Sequence, residues 1–221
     1  MYILLILALI FAAFNALVVW KNIRRLETIT KPAVMICLFA WLAGTAGLDG
    51  APLWFGLGLL LSLAGDLILL WWPETGFLPG LFAFLLTHLA YLVGFNMLPQ
   101  PISPWSLILA AILALGAARV LRRILLALRA KGHARLVWPV AIYGGAITLM
   151  LLSALLTLSN PAWGAAASLL VSLGAFLFYL SDIVLAWNRF VTPLKHGRLL
   201  NIILYHLGQI ALVAGVVSQF R

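Results

Sequence analysis

Residues 53–72, LWFGLGLLLSLAGDLILLWW, decide the fold of this chain. Twenty residues with one charge among them suffice for an α-helix to cross a hydrocarbon core of ~30 Å. The charge is Asp66, and it needs a reason. A carboxylate near the centre of a membrane helix costs ~2.5–3.5 kcal/mol on the lenient insertion scale. A second carboxylate, Asp182, stands in a similar setting, FLFYLSDIVLAW at 176–187, although the whole chain has only five acidic residues.

Working outward, the same apolar pattern recurs. The chain is 65% hydrophobic and 9% charged, which exceeds what a soluble domain of 221 residues can bury. The fold class expected is all-α: a polytopic membrane protein of eight helices, near 2–20, 32–48, 53–72, 78–98, 104–121, 136–157, 163–187 and 199–219. LDGAP, PETGFLPG, PQPISP and LSNPAW supply the turn chemistry between spans. Eight of the nine Trp fall near predicted span ends, as an interfacial aromatic belt requires, and only Trp41 is mid-span. The N-terminus lacks a basic region and a cleavage site, so it reads as a retained first span. Cys37, the single cysteine, excludes an intramolecular disulfide. Residues 1–221 read as one integral membrane domain. Within it, GDLILLW from Gly65 matches SDIVLAW from Ser181, and LLTHLAYL from Leu85 matches ILYHLGQI from Ile203. These matches suggest an internal repeat, 1–98 and 104–221, of two parallel four-helix halves.

The net charge of +9 is a topology signal and not a nucleic-acid signal. Segments 21–31, 119–135 and 188–198 hold four, six and three Lys or Arg, and all follow odd-numbered spans. The opposite side has only Arg221. Thirteen against one puts those loops in the cytoplasm and both termini outside, in the inner (cytoplasmic) membrane. The segment 119–135 is expected to extend span 5 and then lie along the anionic leaflet. In this orientation Lys31, Asp66, His88, Tyr91, Tyr143, Asp182, Tyr205 and Gln209 fall at similar depths. Ser62, one turn before Asp66, and Ser181, beside Asp182, join them. Intramembrane ionisable groups face a bundle interior or a water-filled cavity. One polar cavity toward the cytoplasmic side is the simplest arrangement.

Two carboxylates in one dry cavity do not both ionise cheaply, which leaves a proton donor beside a negative charge. Such a pair suits chemistry through an oxocarbenium ion, with Asp66 and Asp182 as the catalytic residues. No G-x-S-x-G elbow supports a serine nucleophile. A zinc site from His88, His206, Asp66 and Asp182 is a weaker alternative, because dense ligand spacing such as H-E-x-x-H is absent. A lipid transporter or binder is another, weakened by spans 3 and 7 having no interior proline break.

Several motifs resemble the YhhN-like lysoplasmalogenase family. LLLSLAGDLILLW with FLPGLFAFLLTHLAYLVGF resembles its S-x-x-G-D…F-x-x-G-L-x-x-F…H-x-x-Y pattern. FYLSDIVLAWNRF resembles its Ser-Asp signature, TKPAVM its Lys-Pro entry to span 2, VAIYGGAITLM its tyrosine helix, and YHLGQ its closing helix. The resemblance runs from about residue 30 to 212 and departs at His206, which is therefore not carried over. It implies a hydrolase that cleaves the vinyl ether bond of lysoplasmalogens to a fatty aldehyde and glycerophosphoethanolamine or glycerophosphocholine. No cofactor and no metal are expected. The partners are then a lysophospholipid substrate and membrane lipids, without nucleic acid. Lys31 would hold the substrate phosphate. A zinc-dependent lipid amidase is the runner-up enzyme.

Overall fold

The computed structural model describes residues 2–100 and 102–221; Met1 and Pro101, the latter inside the PQPISP break, lie outside the described residues. All regular structure among the described residues is helical: α1 Ile3–Trp20, α2 Arg24–Ala46, α3 Ala51–Trp71, α4 Phe77–Asn96, α5 Pro104–Ala130, α6 Val137–Leu156, α7 Ala165–Ala186 and α8 Gly197–Phe220. All eight are long and apolar enough to cross a membrane. Single 3-10 turns flank α6 at Ala134–Leu136 and Thr157–Ser159, and a π-helical turn, Trp187–Val191, continues α7. The chain is a multi-pass membrane protein.

Three local expectations need correction. Helix α2 begins at Arg24, well before residue 32, and Pro32 sits buried inside it. Proline at the first helical turn is the usual signal, but tertiary contacts override it here. Thr30 accepts from Asn15 of α1 at 2.7 Å, and Arg198 of α8 pairs with the nearly buried Glu27 at 2.8 Å. These contacts hold the charged turn 24–31 helical despite the hydrogen bond that Pro32 forgoes. The basic segment after residue 119 does not bend away; it continues α5 as one helix to Ala130 and reverses at Gly132, whose φ is +76°. Trp163 is not a belt residue. It is buried, with its ring 5.7 Å from Phe220 and 6.1 Å from Phe95.

Helices α3 and α4 form one close hairpin and α7 and α8 another, while α5 lies at the edge against α6 and the π-helical turn. The α7–α8 contact is backbone to backbone. A Cβ on Gly174 would stand 2.5 Å from the Leu212 nitrogen, and one on Gly208 would stand 2.8 Å from the Phe178 nitrogen. Small residues that let membrane helices approach this closely replace the hydrophobic drive that lipid cannot supply. The approach carries the Asn201–Tyr205 face of α8 into the centre of the bundle, beside α3 and α7.

Candidate active site

The ends of the helices decide where the polar groups meet. A cavity of about 1070 Å³, its open mouth included, is lined by Lys31 of α2, Asp66 of α3, Tyr143 of α6, Asp182 of α7 and Tyr205 of α8. Lys31, Tyr143 and Tyr205 stand near the starts of their helices, and Asp66 and Asp182 stand near the ends of theirs. In an antiparallel bundle those positions share one end, and it is the end that carries the basic segments. Most of the remaining wall is apolar, with Val120, Leu121 and Ile124 of α5 and Val140 and Ile147 of α6 prominent.

The two carboxylates occupy separate hydrogen-bond clusters. Asp66 has no exposed surface. The Lys31 ammonium is 2.7 Å from its Oδ1, as an ion pair rather than an aligned hydrogen bond, and the Tyr205 hydroxyl donates to its Oδ2 at 2.8 Å. Lys31 is itself only 12% exposed, so its ammonium is engaged with Asp66 and not held out toward a phosphate. Asp182 is slightly open, at 13%. Its Oδ2 accepts from the Tyr143 hydroxyl at 2.5 Å and lies 3.3 Å from His88 Nε2, which is also 2.9 Å from the Tyr143 oxygen. Among the described residues, His88 Nδ1 is buried without a hydrogen-bond partner. Among the described residues, Asp182 Oδ1 bonds to no protein group, and no hydrogen bond joins the two aspartates.

Aromatic rings pack against both clusters. Phe178 lies 4.9 Å from His88 and 5.4 Å from Tyr205, tilted or edge-on to each, and Phe84 lies 6.0 Å from Tyr205 and 6.5 Å from Phe178. A Cβ on Gly65 would stand 2.7 Å from the Phe84 ring, so the glycine before Asp66 is what admits that ring. The two carboxyls thus share one cavity wall, with Lys31 beside Asp66 and Phe178 packed against a hydrogen-bond partner of each.

The other expected residues divide. Ser181 lies on the cavity wall, held by Asn201 Nδ2 donating to its oxygen at 3.0 Å. His88 stands just behind Tyr143 and Asp182. Ser62, Tyr91 and Gln209 are off the wall and form a chain among α3, α4 and α8. Tyr91 donates to Gln209 Oε1 at 2.7 Å, and Gln209 Nε2 donates to Ser62 Oγ at 2.9 Å. These three brace the helices to one another. His206 turns to the far side of α8, 3.0 Å from Asn15 Oδ1. The four-residue zinc set is therefore not assembled, and among the described residues no three His, Cys, Asp or Glu groups gather as metal ligands.

Sequence reasoning missed Thr87, whose hydroxyl accepts from Ser62 at 3.2 Å, and Asn201. Asn201 was legible, since Asn201, Tyr205 and Gln209 are a polar stripe at spacing four on α8. Arg189 also lines the cavity and makes no salt bridge among the described residues.

Fold and site together define an eight-helix integral membrane protein with a polar, carboxylate-bearing pocket in an apolar bundle. The chain belongs to the YhhN family, whose model matches residues 26–216. It is 33% identical over 195 residues to the lysoplasmalogenase TMEM86B of Homo sapiens, covering 85% of this chain and 73% of that protein. The corresponding protein of Sus scrofa is 36% identical over 161 residues, covering 73% of this chain and 62% of that one. The lysoplasmalogenase TMEM86A of Homo sapiens is 28% identical over 164 residues, covering 73% and 64%. No solved structure matches the chain significantly.

Proposed function

We propose that this protein is a membrane-embedded lysoplasmalogenase, which adds water across the vinyl ether of a 1-alkenyl lysophospholipid and releases a fatty aldehyde and a glycerophosphodiester. The observation that carries the reading is the pairing of a free carboxyl oxygen, Asp182 Oδ1, with a charge-compensated carboxylate, Asp66, on the wall of one apolar cavity. The names of the relatives point the same way. Protonation of an enol ether occurs at the distal vinyl carbon and leaves an oxocarbenium ion. A proton donor must touch that carbon. Asp182 has an oxygen to offer, whereas both oxygens of Asp66 are occupied by Lys31 and Tyr205. Asp182 is accordingly the general acid, with Tyr143 and His88 fixing its other oxygen. Asp66, kept ionised by Lys31, is the negative charge that stabilises the cation. Water adds to the oxocarbenium carbon and its proton returns to Asp182. The hemiacetal then collapses: the carbon–oxygen bond to glycerol breaks, the hydroxyl proton is lost, and the glycerol oxygen is protonated. No step draws on a cofactor.

Purified protein in detergent, incubated with 1-alkenyl glycerophosphoethanolamine, is expected to release fatty aldehyde and glycerophosphoethanolamine in equal amounts. Release of free fatty acid from an acyl lysolipid or an N-acyl lipid, with no aldehyde, would favour an amidase or esterase. Absence of both products would leave a lipid carrier.

The basic asymmetry supports a cytoplasmic membrane location with the termini outside and the cavity opening on the cytoplasmic side. A single cysteine introduced at residue 26, in a Cys37→Ser background, should resist an impermeant thiol reagent in sealed cells and react after permeabilisation. Labelling in intact cells would reverse the topology and move the cavity mouth to the other face.

A further inference from the structure

The cavity has one cation that the proposed chemistry does not use. Arg189 is borne on the π-helical turn Trp187–Val191, and its guanidinium carbon lies 4.4 Å above the Phe77 ring. It makes no salt bridge among the described residues. π-Helical turns are frequent at functional sites. Here the turn sits at the mouth of the cavity, at the end of α7.

We propose that Arg189 is the phosphate anchor for a single-chain phospholipid, holding the headgroup at the mouth so that the bond next to the glycerol lies against Asp182. The proposal rests on the lysoplasmalogenase reading of the same cavity and replaces Lys31 by Arg189 as the headgroup cation. Three observations carry it. First, the chemistry is ordered in depth. Along α7 the lining runs from Arg189 at the mouth to Asp182 and then inward. Along α6 it runs from Tyr143 inward to the apolar Ile147, and on α5 it reaches inward to Ala117, while Val120, Leu121 and Ile124 line the cavity nearer the mouth, beside Phe190. Charge at the mouth, carboxyl in the middle and hydrocarbon wall within match a phosphate, a reactive ether and an alkyl chain in that order.

Second, the spacing fits. Seven residues separate Asp182 from Arg189, roughly 10 Å along a helix. In the substrate, seven bonds separate phosphorus from the distal vinyl carbon. Extended, they span about 8 Å, since three chain bonds reach at most ~3.6 Å. Third, the other basic residue that lines the cavity among the described residues, Lys31, is committed to Asp66. Guanidinium also suits the task, because its fork can bond two phosphodiester oxygens while its face remains on Phe77.

The test uses full-length protein in nanodiscs and does not depend on turnover. Binding of the non-cleavable 1-alkyl glycerophosphocholine is measured against that of 1-alkylglycerol, which has the same chain and no phosphate. Tryptophan fluorescence is the readout. The wild type should prefer the phosphodiester lipid. Arg189→Gln should lower that preference about tenfold or more, the loss of a charge-assisted contact, and Arg189→Lys should restore part of it. In the enzymatic assay with alkenyl lysolipid, the same variant should raise KM with little change in kcat. Equal weakening for both ligands, or no weakening, would overturn the assignment. So would competition by glycerophosphocholine at the lysolipid's own concentration, which would mark a site for soluble phosphate esters. Failure of turnover with the binding preference intact would sink the hydrolase reading alone.

Discussion

Asp182→Asn is expected to reduce vinyl ether hydrolysis by ~10²–10⁴-fold, the usual cost of losing a general acid. The amide keeps the shape and can still accept from Tyr143, and no cation is left unpaired. The variant should therefore purify and unfold like the wild type. Asp66→Asn should lose activity on a similar scale by a different route, because the fixed negative charge is gone and Lys31 now faces the oxocarbenium with its positive charge uncompensated. Residues that act on one transition state give non-additive losses. The double variant should be little worse than the worse single one. Turnover by aldehyde release and thermal unfolding in detergent, measured on all three, decide the matter. Near wild-type turnover by Asp182→Asn would end the two-carboxylate mechanism. Multiplicative losses would show that the aspartates act in independent steps.

Removing Lys31 should produce the largest effect on stability. Lys31→Met leaves the Asp66 carboxylate at zero exposure with no cation, and breaking one partner of a buried ion pair costs about 3–5 kcal/mol. That is a large part of the margin of an ordinary domain. Combining Lys31→Met with Asp66→Asn removes both charges. It should restore most of the stability and none of the activity. The contrast between the single and double variants, read by unfolding in detergent, separates an ion pair kept for catalysis from one kept for packing. A Lys31→Met protein as stable as the wild type would mean that Asp66 is already protonated. The role of fixed negative charge would then fall to Asp182.

The difference between the two aspartates was not visible in the sequence. Asp66 and Asp182 occupy matching positions in GDLILLW and SDIVLAW, which invited a symmetric dyad. What distinguishes them lies on other helices: Lys31 from α2 and Tyr205 from α8 at one, and Tyr143 from α6 and His88 from α4 at the other.

The sequence by itself determined the eight crossings and the end of the bundle at which the polar groups collect. Hydrophobic length and loop charge are one-dimensional properties that the bilayer reads directly. It also contained the motifs from which the family could be recognised. The tertiary structure alone decided which polar groups touch. Pairing between helices depends on rotation and on how closely backbones approach, set here by Gly174 against Leu212 and by Gly65 beneath Phe84. A hydropathy profile carries neither quantity. The same reason explains Lys31 and Arg189. Both are basic residues near a predicted membrane edge, and the sequence assigned the phosphate to the first. Packing places Lys31 2.7 Å from Asp66 and sets Arg189 on a π-helical turn over Phe77. Which cation is free is a three-dimensional fact, because an ion pair forms wherever the folded helices bring opposite charges into a space that water does not reach.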